Sequence, residues 1–132
     1  MSAIRKALIF EFGDVSKINI VRSTIEDPLS AHIQVKVLYS GFNGADISMR
    51  MGRYPMQKPA PLNPGYCSVG TVAKKGPDCT SNFSIGDLVA CMTVYDSEAG
   101  LCNQREKYHV PVPRGLDLQQ ACARRQPPYL PR

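Results

Sequence analysis

Eleven prolines and ten glycines cut this 132-residue chain into segments too short for long helices. Proline removes a backbone donor and fixes φ, and glycine tolerates the turns between elements. What survives between them alternates. From His32 to Ser40, Ile33, Val35, Val37 and Tyr39 fall on one side, and Gln34 and Lys36 on the other. That period of two marks a half-buried strand of an antiparallel sheet. Similar segments are expected over Lys6–Phe12, with Leu8, Phe10 and Phe12 on one face, and over Lys17–Arg22, with Ile18 and Ile20 sharing a side. Phe12-Gly13-Asp14 turns the chain between those two. Further strands are expected over Tyr66–Lys75, Asp87–Val94 and Lys107–Val112.

Two short helices complete the pattern. Asn43–Arg50, closed by Gly52, carries Ile47 and Met51 at helical spacing, and Asp117 is placed to cap a helix beginning at Leu118. Four prolines between residues 53 and 65 make that stretch an irregular loop. Many short strands and few helices imply an antiparallel barrel or sandwich. The length suits one domain, expected over residues 1–123. Residues 124–132, Arg-Arg-Gln-Pro-Pro-Tyr-Leu-Pro-Arg, differ in kind and read as a disordered tail.

Composition excludes several function classes. Hydrophobic residues make up 43% and charged residues 20%, values of an ordinary globular protein. Apolar runs are as short as Ala7-Leu8-Ile9-Phe10, far below the ~20 residues that cross a bilayer, and no secretory signal is read. The net charge of +5 falls to +2 once Arg124, Arg125 and Arg132 of the tail are set aside. No block of five like charges and no basic-aromatic pattern is present, so neither nucleic acid nor membrane is an expected partner. Cys67, Cys79, Cys91, Cys102 and Cys122 contain no close C-x-x-C pair of the kind structural zinc sites use. An odd number of loosely spaced cysteines reads as thiols in a reducing, cytoplasmic setting. His32 and His109 sit in strands without a partner motif and read as structural.

Two ordered segments carry a resemblance. The first is Gly41-Phe42-Asn43-Gly44-Ala45-Asp46, followed by Gly52-Arg53-Tyr54-Pro55. The second is Pro64-Gly65-Tyr66-Cys67-Ser68-Val69-Gly70-Thr71-Val72, then Gly76, then Ile85-Gly86-Asp87-Leu88-Val89. In this order and spacing they resemble the GroES-like catalytic domain of the medium-chain dehydrogenase/reductase superfamily, of the zinc-free quinone oxidoreductase and enoyl reductase type, over roughly residues 5–123. The resemblance implies a mainly β fold, a partly open antiparallel barrel with one or two short helices. Gly65 and Gly70 would flank a strand that passes close to nicotinamide and substrate.

The resemblance also implies a site. Zinc-dependent relatives place a cysteine where Asn43 stands, and a histidine and glutamate where Tyr66 and Cys67 stand. Asn and Tyr are poor zinc ligands beside thiolate and imidazole, so no metal is expected. Asn43, Tyr54 and Tyr66 become the candidates that hold and polarise a substrate oxygen. Phe42, Asn43 and Asp46 are the candidates that line the nicotinamide, with Asp46 otherwise a helix cap, Tyr54 loop packing and Tyr66 a space-filler. The implied reaction is NADPH-dependent reduction of a quinone or of a double bond conjugated to a carbonyl. The partner is a small molecule, and a homodimer is compatible with the family. The superfamily follows this barrel with a Rossmann domain, and no Gly-rich dinucleotide turn occurs here. The chain therefore reads as one wall of an active site, cut near residue 123 and inactive by itself. The alternative is a non-catalytic domain, either an interaction module or an inert fragment.

Overall fold

The computed structural model describes residues 1–124. Seven strands run β1 (Ser2–Ile9), β2 (Ile18–Ile25), β3 (His32–Ser40), β4 (Cys67–Lys75), β5 (Leu88–Met92), β6 (Leu101–Arg105) and β7 (His109–Pro111). Two helices, α1 (Gly44–Arg50) and α2 (Leu118–Arg124), and two single 3-10 turns accompany them. β1 and β2 form a hairpin, and the other five strands form one antiparallel sheet in the order β6-β3-β4-β5-β7. The expected tail, beyond Arg124, lies outside the described residues.

The hairpin is stitched to the sheet through its first strand. Ala7 N–H donates to Glu98 O at 2.9 Å, and Gly100 N–H donates to Arg5 O at 2.9 Å. Ile9 exchanges both backbone bonds with Leu62. These bonds bend the sheets towards each other without closing them, which gives the partly open, mainly β architecture that the sequence implies.

The main core lies between the sheets and the helices, around Ile9, Met49, Leu62, Tyr66, Cys67, Val69, Ala90, Ala121 and Cys122. A smaller cluster joins Ile33, Val35, Val72 and Val89.

Several local expectations need correction. β1 starts and ends earlier than Lys6–Phe12, and it buries Ala7 and Ile9, the opposite parity. Phe10 and Phe12 stay exposed because the turn begins after Ile9. Ile18 packs on the core but Ile20 is 62% exposed, out on the hairpin. β3 keeps its expected bounds, yet Gln34 is buried and Tyr39 exposed. Irregular pairing with β4 at Gln34/Val35 and Val37/Tyr39 breaks the alternation. The Gln34 amide is satisfied by Glu26 O at 3.2 Å and Asn103 Oδ1 at 3.1 Å. In α1 the buried residues are Asp46 and Met49, whereas Ile47 and Met51 are exposed. β4 begins one residue later than expected, β5 is trimmed to five residues, and β7 to three. β6 has no counterpart in the sequence reading.

Gly70 shows what its missing side chain is for. A Cβ there would collide with the Lys36 carbonyl oxygen on β3. A Cβ on Gly65 (φ +130°) would lie 2.6 Å from the Glu98 amide nitrogen. Within this chain, both glycines let backbone approach backbone.

Candidate active site

The segment after β3 turns into α1 at Asn43. Asn43 is extended (φ −148°), and its Oδ1 accepts from Ala45 N–H at 2.8 Å. Asp46 Oδ2 accepts from Asn43 N–H at 2.8 Å, which completes a reciprocal capping box. Capping uses the carboxamide oxygen of Asn43. Phe42, one residue earlier, is 65% exposed on the same turn.

Asp46 is 4% exposed. One carboxyl oxygen serves the cap, and the other, Oδ1, has no hydrogen-bond partner among the described residues. Burial pushes its pKa up, against the lowering effect of the bond from Asn43.

Tyr66 immediately precedes β4 and is 3% exposed. Its backbone is fixed by Thr93 N–H, which donates to Tyr66 O at 2.6 Å. Its ring meets the Tyr54 ring edge-on, with centroids 5.7 Å apart and planes at 77°. The Tyr66 hydroxyl is buried and makes no well-formed hydrogen bond. Burial, then the neighbouring Tyr54 hydroxyl, then the Asp46 carboxylate raise its pKa.

Tyr54 is held by Gln57. Gln57 Oε1 accepts from Tyr54 N–H at 2.8 Å, and Gln57 Nε2 donates to Met49 O at 3.0 Å. One side chain thereby locks the proline-rich loop to the end of α1. The structure thus brings Tyr54, Tyr66 and Asp46 into one electrostatic neighbourhood, with Asn43 joined to it through the cap.

Glu98, absent from the sequence reading, belongs to the same neighbourhood. Burial and then the Asp46 carboxylate push its pKa up to about 7. Nothing local in Asp96-Ser97-Glu98-Ala99-Gly100 signals this. Cys67 is also not isolated, since its Sγ lies 3.6 Å from Cys122 Sγ. Both histidines have structural bonds: His32 Nδ1 with Ser30 O at 2.8 Å, and buried His109 Nδ1 with Arg105 O at 3.0 Å. No helix of the described residues is long and apolar enough to cross a membrane.

Comparison with known proteins agrees with this architecture. Residues 30–120 match the family described as the alcohol dehydrogenase GroES-like domain. Quinone oxidoreductase of Rattus norvegicus is 30% identical over 125 residues, covering 93% of this chain and 37% of that protein. The human synaptic vesicle membrane protein VAT-1 homolog-like is 24% identical over 120 residues, covering 91% and 28%. Its crystal structure superposes with a TM-score of 0.88 at 23% identity, over 92% of this chain and 39% of that one. Escherichia coli quinone oxidoreductase complexed with NADPH gives 0.83 at 23% identity, over 90% and 36%. The chain spans about a third of the length of the curated relatives it matches. By the match over residues 30–120, this chain belongs to the alcohol dehydrogenase GroES-like domain family.

Proposed function

We propose that this chain forms the substrate-side wall of a zinc-independent, NADPH-dependent oxidoreductase that reduces a quinone or an α,β-unsaturated carbonyl compound. The observation that carries the reading is the Tyr66 hydroxyl, buried and without a well-formed hydrogen bond. An unsatisfied buried hydroxyl costs about 1–3 kcal/mol, so a fold that keeps one has a use for its donor. A substrate carbonyl oxygen beside Tyr66 and Tyr54 would accept from it and be polarised as negative charge develops.

The other residues take roles that follow from their geometry. The capping box fixes the Asn43 side chain at the start of α1, and its carboxamide helps to position the substrate. Phe42 presents an exposed ring against which a nicotinamide face can lie. Asp46 acts through Asn43 as a positioning residue, since its carboxylate bonds the Asn43 N–H. NADPH, when bound, supplies the hydride. The residues offer hydrogen-bond donors and an aromatic surface, a set that fits a nicotinamide amide and ring. They make a poor zinc set, because the Asn43 oxygen is committed to the cap and Cys67 Sγ faces Cys122 in the core. The cofactor phosphates would need a further domain.

The test is a 15N NMR titration of the 132-residue chain with a soluble quinone and with NADPH, alongside a turnover assay. The reading expects saturable shifts confined to residues 42–46, 54 and 66. Shifts elsewhere, or none at millimolar ligand, would overturn it. Local binding without turnover would establish a wall that is non-catalytic by itself.

A further inference from the structure

Cys67 and Cys122 are 55 positions apart in sequence, yet their sulfurs sit 3.6 Å from each other in the main core. Cys67 opens β4 and is fully buried; Cys122 lies in α2 and is 3% exposed. No disulfide joins them in the structure. Cys122 Sγ also approaches Tyr39 O at 3.8 Å, so its direction is fixed from two sides. A disulfide needs a sulfur separation of about 2.05 Å, and the missing ~1.5 Å is within reach of side-chain rotation and a small slide of the helix.

α2 is able to supply that movement. It is seven residues long and is preceded by Asp117, whose Oδ2 accepts from Gln120 N–H at 3.1 Å. A helix this short has no stability of its own and relies on packing against the sheet. Local opening of such an element is far easier than global unfolding and would bring Cys122 to solvent while Cys67 stays in the strand. While the helix is closed, the bond with Cys67 and burial raise the Cys122 pKa and keep it protonated. Opening is therefore the step that makes it reactive.

We propose that Cys67 and Cys122 form an oxidisable dithiol that closes into a disulfide in the presence of a hydroperoxide, fastening α2 to β4 beneath Tyr66. In the open state the Cys122 sulfur attacks the peroxide oxygen. The O–O bond breaks, Cys122 becomes a sulfenic acid and one water leaves. When α2 closes again, the Cys67 sulfur attacks the sulfenic sulfur, the S–O bond breaks, the S–S bond forms and a second water leaves. Two thiols and one hydrogen peroxide become one disulfide and two waters.

The test uses the purified 132-residue chain. It is treated with hydrogen peroxide, denatured, alkylated and mapped by mass spectrometry. The proposal expects a loss of about 2 Da, two fewer alkylated cysteines and a linked peptide joining Cys67 to Cys122. Closing a loop of this length should raise Tm by about 5–15 °C, and a reductant should reverse the rise. Cys122→Ala should show neither the mass loss nor the peroxide-dependent rise. The peptide map of the unsubstituted chain needs no variant to fold. Cys79, more accessible than either partner, is the internal reference. Oxidation of Cys79 while Cys67 and Cys122 remain thiols would overturn the proposal, as would linkage of either to Cys91 or Cys102.

Discussion

Replacing Glu98 with glutamine should uncouple the stability of this domain from pH across the neutral range. The Glu98 backbone is tied on both sides: its carbonyl accepts from Ala7 N–H at 2.9 Å and Asn63 Nδ2 at 3.1 Å, and its N–H donates to Pro64 O at 3.1 Å. Burial with the Asp46 carboxylate moves the side chain's pKa from 4.5 up to about 7. The folded state holds a proton that the unfolded chain has released. The resulting stabilisation is fully present below about pH 4.5 and is lost as pH rises through about 7. A shift of this size corresponds to about 3 kcal/mol at 1.36 kcal/mol per pH unit, and residual solvent access brings it nearer 2. For a domain of this length 1 kcal/mol moves Tm by about 3–5 °C, so the full effect is about 5–10 °C. Calorimetry of the native chain and of Glu98→Gln at about pH 4.5, 6 and 8 measures it. The Tm advantage of the variant should be near zero at the lowest pH and grow to that value at the highest. Every other titrating group is common to both proteins and cancels to first order. A Tm difference that stays constant with pH would refute the reasoning.

Gly70→Ala should lower stability by about 3 kcal/mol or prevent folding, because the new methyl meets the Lys36 carbonyl and must push β3 from β4; urea unfolding reads the loss. Asn43→Ala should cost about 1 kcal/mol through the lost cap, whereas Asn43→Asp should keep the cap; both should weaken the quinone-induced NMR shifts. Tyr66→Phe should be neutral or stabilise by about 1 kcal/mol in urea unfolding, since it removes an unsatisfied buried hydroxyl, while weakening the response to quinone.

How much of this was legible in the sequence depended on how local the cause was. His32–Ser40 is a strand at its expected bounds because alternation and flanking turn residues act within nine residues. The capping box at Asn43 and Asp46 is likewise a spacing of three. β6 was not legible, since Leu-Cys-Asn-Gln-Arg has almost no apolar alternation and owes its extended form to pairing with β3. Gln34 is buried against its own pattern because Asn103 and Glu26, from two other segments, satisfy its amide. The perturbed acid at Glu98 and the thiol pair follow the same rule, each depending on a partner more than fifty positions away.

The stitching of β1 to residues 98–100 bears on how the chain is made. β1 and β2 leave the ribosome before the residues they dock on, and a lone two-stranded hairpin is marginally stable in water. Its docking bonds to Glu98 and Gly100 do not exist until those residues have been synthesised. Through that interval the apolar face of Ala7 and Ile9 lacks the partners that bury it in the folded domain. Moving β1 and β2 behind α2 by circular permutation would let the five-stranded sheet form first, and should raise the soluble yield at the cost of the ion pair between the Met1 amine and Asp27.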